Sequence, residues 1–256
     1  MIISYTHKFI IKSLKTAGTS LEAALSQRCG GDDVVVPINA FGHNRDEKGE
    51  LVHRGMNADE LYRNIGQHVD AAAIRSRVPA DMWNSYFKFS ITRNPWDRAL
   101  SYFFWDRRND PALRPRKRFW HYLGVPFDEF AIIKSQFNRF VRDRILADTQ
   151  DERHFVHDGA QRYRVPAEAY LENNDRFYII DDQLCADFVI RYEHLEEDYN
   201  EVFRRIDIPP AGLPQLKAGV RKQGKHFTEY YDDETRDRVG DLHRNDQRYF
   251  GYRFGQ

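Results

Sequence analysis

The 256-residue chain has only two cysteines, Cys29 and Cys185, and no CxxC pair. That excludes a disulfide framework and a thiolate metal centre, and leaves a reducing compartment and buried, inert thiols as the expectation. Net charge is also lacking: Lys plus Arg number 39 and Asp plus Glu number 39. Wholesale binding to nucleic acid or to an anionic membrane is therefore not expected, and any cationic site must be local. No stretch approaches the roughly 18 apolar residues of a membrane-spanning helix. Residues 1–12 form two short apolar runs broken by His7 and Lys8, not the continuous apolar region of a signal peptide, so the expected location is cytoplasmic. Internal repeats, low-complexity tracts and linker-like composition shifts are absent too, which predicts one domain over residues 1–256.

What is present is a globular balance, with 41% apolar and 30% charged residues. Phe9-Ile10-Ile11 reads as a buried strand, followed by a polar loop and by Leu21, Ala24 and Leu25 at helical spacing. The same order recurs when the strand pattern from Tyr86 to Ile91 runs into Arg93-Asn94-Pro95, and Pro95 suits the first turn of a helix over 96–104. Between them, 58–65 reads as helical with Gly66 as its stop, and Asp70 is placed to cap a short helix from Ala71 to Ile74. Downstream, 177–180 and 188–192 are strand candidates separated by the polar turn Asp181-Asp182-Gln183, before a helix over 195–206. Strands alternating with helices predict an α/β fold, a three-layer P-loop-like sandwich with a central, mainly parallel sheet flanked by helices. Ligands of such sheets bind beyond the carboxyl ends of the strands.

Both strand-to-helix loops carry anion-binding chemistry. The first is Lys12-Ser13-Leu14-Lys15-Thr16-Ala17-Gly18-Thr19-Ser20. It leads to a helix start whose first amides lack intrahelical partners and attract phosphate. Lys15 adds a cation, Gly18 permits close backbone approach, and Thr19 and Ser20 offer hydroxyl donors. The nucleotide-triphosphatase pattern GxxxxGK[ST] is missing, since here Lys precedes Gly. The second loop, Arg93-Asn94-Pro95-Trp96-Asp97-Arg98-Ala99-Leu100-Ser101-Tyr102, puts an Arg at a strand end and a Ser about two helical turns later. Folding Arg93 back along that helix would let both donors meet one phosphate, the guanidinium making a bidentate contact. Read separately, the first is also an ordinary turn with a helix cap, and the second a surface Arg with a helix Ser bonded to its own backbone.

Together, residues 15–20 and 93–102 resemble the 5'-phosphosulfate and 3'-phosphate loops of the sulfotransferases that use PAPS (3'-phosphoadenosine-5'-phosphosulfate). The resemblance is closer to the carbohydrate and bacterial branch, with its PKTAGTS and RNPxDRxxSxY loops. Leu14 stands here in place of the usual Pro. Weaker similarity extends to Arg191-Tyr192-Glu193-His194-Leu195 and to the aromatic C-terminal run. The resemblance implies PAPS as donor, no metal, and in-line transfer to a hydroxyl acceptor. It also implies Lys15 at the leaving group, the segment Thr16, Ala17, Gly18, Thr19 and Ser20 around the 5' end, and Arg93 and Ser101 at the 3'-phosphate.

A hydroxyl acceptor needs a base, and His is the natural type. Similar sequences commonly have a His where His68 stands, upstream of the second loop. His53 and His43, in a polar Gly-containing stretch, are the alternatives and also suit an acceptor-side loop. Arg221 and Lys225 lie in a basic loop resembling the late donor-closing segment, although a solvated loop explains them as well. Six cations in the twelve positions 107–118, among them Arg116, Lys117 and Arg118, mix with Trp105, Phe119, Trp120 and Tyr122. An acceptor cleft for an anionic glycan and a solvated charged loop both fit that pattern. Competing readings are a P-loop kinase, opposed by the missing triphosphatase motif and the Arg93 loop, and a non-catalytic nucleotide-binding protein. A small-molecule alcohol remains the alternative acceptor.

Overall fold

The computed structural model describes residues 2–12, 18–30, 32–35, 70–106, 128–146, 155–158, 161–164, 174–209 and 225–256. The chain divides into two compact units, Met1–Arg93 with Asn174–Ala218, and Asn94–Asn173 with Gly219–Gln256.

The first unit is built on a five-stranded sheet. Strands β1 (Ile2–Ser4), β2 (Phe9–Lys12), β3 (Val34–Val35), β4 (Phe87–Thr92) and an edge strand, Phe188–Arg191, run in the spatial order β3-β1-β2-β4-edge. β2 pairs parallel with β4, and β4 parallel with the edge strand. β1 is antiparallel to both β2 and β3, so four of the five strands point one way. Side chains alternate across the sheet with period two. Ile2, Phe9, Val35, Phe89, Ile91 and Ile190 meet one face of helices, α1 (Gly18–Ser26) and the helix Leu195–Arg205, through Leu21, Leu25, Val202 and Phe203. On the opposite face Ile3, Ile10 and Val34 meet Ile74 of α2 (Ala71–Arg75) and Met82 and Trp83 of α3 (Ala80–Ser85). The expected sheet covered on both faces is therefore present in this unit. Asp70 caps α2 as expected, its carboxylate accepting the Ala73 amide at 2.6 Å.

The second unit contains α4 (Pro95–Asp106), α5 (Glu129–Leu146) and the antiparallel hairpin β5 (Phe155–Asp158) and β6 (Gln161–Arg164). Its C-terminal part adds a short 3-10 turn (Phe227–Tyr230), α7 (Asp233–Leu242) and α8 (Arg244–Phe250). The helix Leu195–Arg205 of the first unit is α6, and the edge strand Phe188–Arg191 is β9.

One expectation holds only in part. Residues 177–180 do not form a strand of the main sheet: Asn174–Phe177 is a 3-10 turn, and only β7 (Ile179–Ile180) is extended. It pairs with β8 (Gln183–Leu184) as a separate hairpin. Asp181 and Asp182 both take positive φ, 51° and 58°, which closes a two-residue hairpin of the twist that adjacent strands prefer. Asp tolerates that conformation better than bulkier residues, so the pair reverses the chain before the main sheet is reached. The helical reading of 58–65 falls outside the described residues.

Candidate functional site

The parallel alignment of β2, β4 and β9 brings their carboxyl ends to one edge of the first unit's sheet. β2 ends at Lys12, β4 at Thr92 and β9 at Arg191, and Thr92 and Arg191 are directly paired. A helix that follows a parallel strand and packs back on the sheet begins at that same edge. α1 does so, opening at Gly18 and burying Leu21, Ala24 and Leu25, as the spacing predicted. Its first-turn amides at Gly18, Thr19 and Ser20 belong to the set without intrahelical acceptors, and Ser20 is buried. No acidic residue occupies that first turn to oppose an incoming anion.

Arg93 directly follows β4 at this edge, half-buried, its guanidinium carbon 4.1 Å from the centre of the Tyr192 ring. Tyr192 directly follows β9, so the strand register sets these two side by side. The next link is Asp198, in the first turn of α6 and 5% exposed, which accepts the Arg191 amide at 2.8 Å and pairs with its guanidinium at 3.3 Å. Asp198 thus closes the turn on which Tyr192 is mounted. In the sequence, Tyr192 stands out only as part of a weak similarity, and nothing marks Asp198. The available signal was an aromatic residue closing the 188–192 strand candidate, next to Arg191.

In the second unit Ser101 is half-buried on α4. The start of that helix is fixed by Asn94, whose side-chain oxygen accepts the Trp96 amide at 3.1 Å while its amide nitrogen donates to the carbonyls of Arg253 and Gln256 at 3.2 and 3.1 Å. Arg98 of the same motif is 6% exposed, its guanidinium nitrogen within 3.3 Å of the buried His243 ring. His243 in turn lies 3.5 Å from Asp246, and both are 1% exposed. Two motif residues that read as part of a phosphate loop, Asn94 and Arg98, therefore hold structure together. Lys225 is exposed, pairs with Glu229 at 2.9 Å and sits over Phe130 at 4.1 Å. The hydrogen bond that it donates to the Glu229 carboxylate holds its ammonium above the ordinary lysine value. Lys15, Thr16, Ala17, His43, His53, His68, Arg116, Lys117, Arg118 and Arg221 lie outside the described residues.

The C-terminal aromatics serve packing. Phe254 meets Trp96, Phe227 and Tyr231 at ring distances of 5.6, 5.8 and 5.5 Å. Of the two thiols, Cys29 donates to the Leu25 carbonyl at 3.3 Å, and burial pushes Cys185 up to about 11, where it is a poor nucleophile at neutral pH. Among the described residues no group of His, Cys, Asp and Glu is suited to hold a metal ion, and no helix is long and apolar enough to cross a membrane.

A mixed α/β unit with a mostly parallel sheet covered by helices on both faces defines the class of the protein by its fold. Residues 2–253 match the sequence model of the sulfotransferase family, and the chain belongs to that family. Sulfuryl transfer is accordingly its general activity, with a hydroxyl compound as acceptor. Searches of curated proteins and of solved structures find no significant match.

Proposed function

We propose that the chain transfers a sulfuryl group from PAPS to the hydroxyl of a carbohydrate, and that residues 1–256 act as one sulfotransferase domain. The observation that supports the donor most directly is the common edge on which Arg93 and the Gly18 helix start lie, in a chain matched to the family over residues 2–253. A nucleotide carrying charge at both its 5' and 3' ends needs two anion sites, and the two loops supply them. The amides of Gly18, Thr19 and Ser20 with Lys15, Thr16 and Ala17 receive the 5'-phosphosulfate, and Arg93 and Ser101 hold the 3'-phosphate. Arg221 and Lys225 close over the donor.

In the transfer, an acceptor oxygen attacks sulfur in line. The new O–S bond forms as the bond from sulfur to the bridging phosphate oxygen breaks, and 3',5'-bisphosphoadenosine leaves. Lys15 and the helix-start amides stabilise the charge that builds on the leaving oxygens, a preorganised electrostatic contribution that needs no metal. The acceptor proton passes to His68, with His53 and His43 as the alternatives on the acceptor side. The basic and aromatic segment with Arg116, Lys117 and Arg118 suits an anionic glycan, rings covering sugar faces and cations meeting carboxylate or sulfate.

Thermal melting tests the donor assignment. 3',5'-Bisphosphoadenosine should raise the melting temperature without magnesium, and ATP with magnesium should not. The reverse pattern identifies a kinase and overturns the proposal. Transfer of labelled sulfate to anionic glycans, weakening with ionic strength as exposed charges are screened, then tests the acceptor; a screen returning only neutral small alcohols refutes the glycan.

A further inference from the structure

Tyr192 stands where three features meet: the end of an edge strand, the Asp198-locked turn, and the Arg93 guanidinium, whose carbon lies 4.1 Å over the ring centre. We infer that Tyr192 is a positioning residue for the 3'-phosphate of the donor, its ring acting as a shelf that fixes the orientation of the Arg93 fork. The inference rests on the donor reading above and extends it to a residue that touches Arg93.

The geometry follows from strand pairing. Thr92 and Arg191 are partners in the parallel ladder, so Arg93 and Tyr192 leave the sheet as neighbours. At 4.1 Å the guanidinium carbon is at stacking distance from the ring centre, and a guanidinium lying flat on a ring spends none of its N–H donors on it, because all of them lie in the guanidinium plane. The stack therefore removes the rotational freedom of a long side chain while keeping the bidentate edge able to meet phosphate oxygens. A Lys at the same position would retain the charge but present no plane to the ring. The shelf is itself immobilised, since Asp198 grips both the backbone and the side chain of Arg191 immediately before it.

Calorimetric titration of the full chain with 3',5'-bisphosphoadenosine and with adenosine 5'-monophosphate tests the shelf. Tyr192→Leu should weaken bisphosphate binding about tenfold, the range of a cation–ring contact, and leave monophosphate binding unchanged. Tyr192→Phe, which keeps the ring and loses the hydroxyl, should bind both ligands as the wild type does. Adding Tyr192→Leu to Arg93→Ala should cause no further loss, because the shelf acts only through the fork. Arg93→Lys addresses the same point without touching Tyr192, and should lose most of the bisphosphate preference despite its charge. Equal losses of both ligands in Tyr192→Leu, additive losses in the double variant, or full preference in Arg93→Lys would each overturn the shelf. If instead Arg93→Ala leaves the preference for bisphosphate intact, the donor reading of Arg93 itself fails, an outcome separate from failure of the shelf alone.

Discussion

In the first unit the interior is mainly aliphatic and ordered by strand register, Ile2, Leu21, Leu25, Ile91, Ile190 and Val202 filling one face of the sheet. In the second it is ring against ring: Phe103 meets Phe104, Phe137 and Phe140 at 5.3 to 5.5 Å, and Tyr231 meets Phe137 at 4.8 Å. The polar chemistry differs correspondingly. The first unit presents Arg93 and Tyr192 at strand ends, where the ladder sets their spacing. The second buries its polar groups as braces. Asn138 donates to the carbonyls of Lys134 and Tyr230 and accepts from the Asp232 amide and the Thr235 hydroxyl, so one side chain joins α5 to the cap of α7. The contrast teaches that a strand ladder by itself spaces the side chains at a sheet's carboxyl edge, whereas a helical unit must brace its helices against one another before any residue on them is positioned.

The comparison breaks most easily at the aromatic core. Phe103→Ala removes a fully buried ring and should cost about 3–5 kcal/mol in chemical denaturation, whereas Ile91→Val in the aliphatic core should cost about 0.5–1.5 kcal/mol. Equal costs would erase the distinction. A second measurement separates function from stability. Lys15→Ala should lower turnover on the order of a hundredfold, equivalent to about 2.7 kcal/mol in the barrier, with the melting temperature of the wild type. Unchanged turnover in that folded variant removes Lys15 from the leaving group.

The smallest effect is an acid limb that belongs to the first unit. Burial alone would raise the Asp33 carboxyl, but hydrogen bonds from the Thr6 and Gly30 amides and the Ser4 and Thr6 hydroxyls outweigh it and hold the group below its ordinary value. A carboxyl depressed in the folded state contributes stability that is complete above its unfolded value of about 4 and is lost as pH falls through the folded value. Asp33→Asn should therefore show a shallower decline of melting temperature below about pH 4 than the wild type. An identical decline would place the acid sensitivity elsewhere.

Local pattern made much of the secondary structure legible in both units. The apolar run at 9–11, the helical spacing of Leu21, Ala24 and Leu25, the cap at Asp70, and Pro95 at a helix start all reappear as β2, α1, α2 and α4. These are decided by neighbours within a few residues, which a single sequence contains. The two-residue strand β3 was not legible, because its pairing with β1 lies some thirty residues away and two residues carry no period. Residues 177–180 were legible only in part for a related reason: a short apolar run looks alike in a central strand and in a private hairpin, and the Asp181–Asp182 turn chose the latter.

The site divides along the same line. The residue types that favour an anion, Lys15, Gly18, Thr19, Ser20 and Arg93, are properties of the sequence, because charge, backbone freedom and hydroxyl donors belong to each residue wherever it lies. That Asn94 and Arg98 brace the second unit, and that Tyr192 comes to lie beneath the Arg93 guanidinium, was decided only by the tertiary structure. Arg93 and Tyr192 are separated by nearly a hundred residues, and it is the parallel pairing of two strands, not any local preference, that reduces that separation to van der Waals contact.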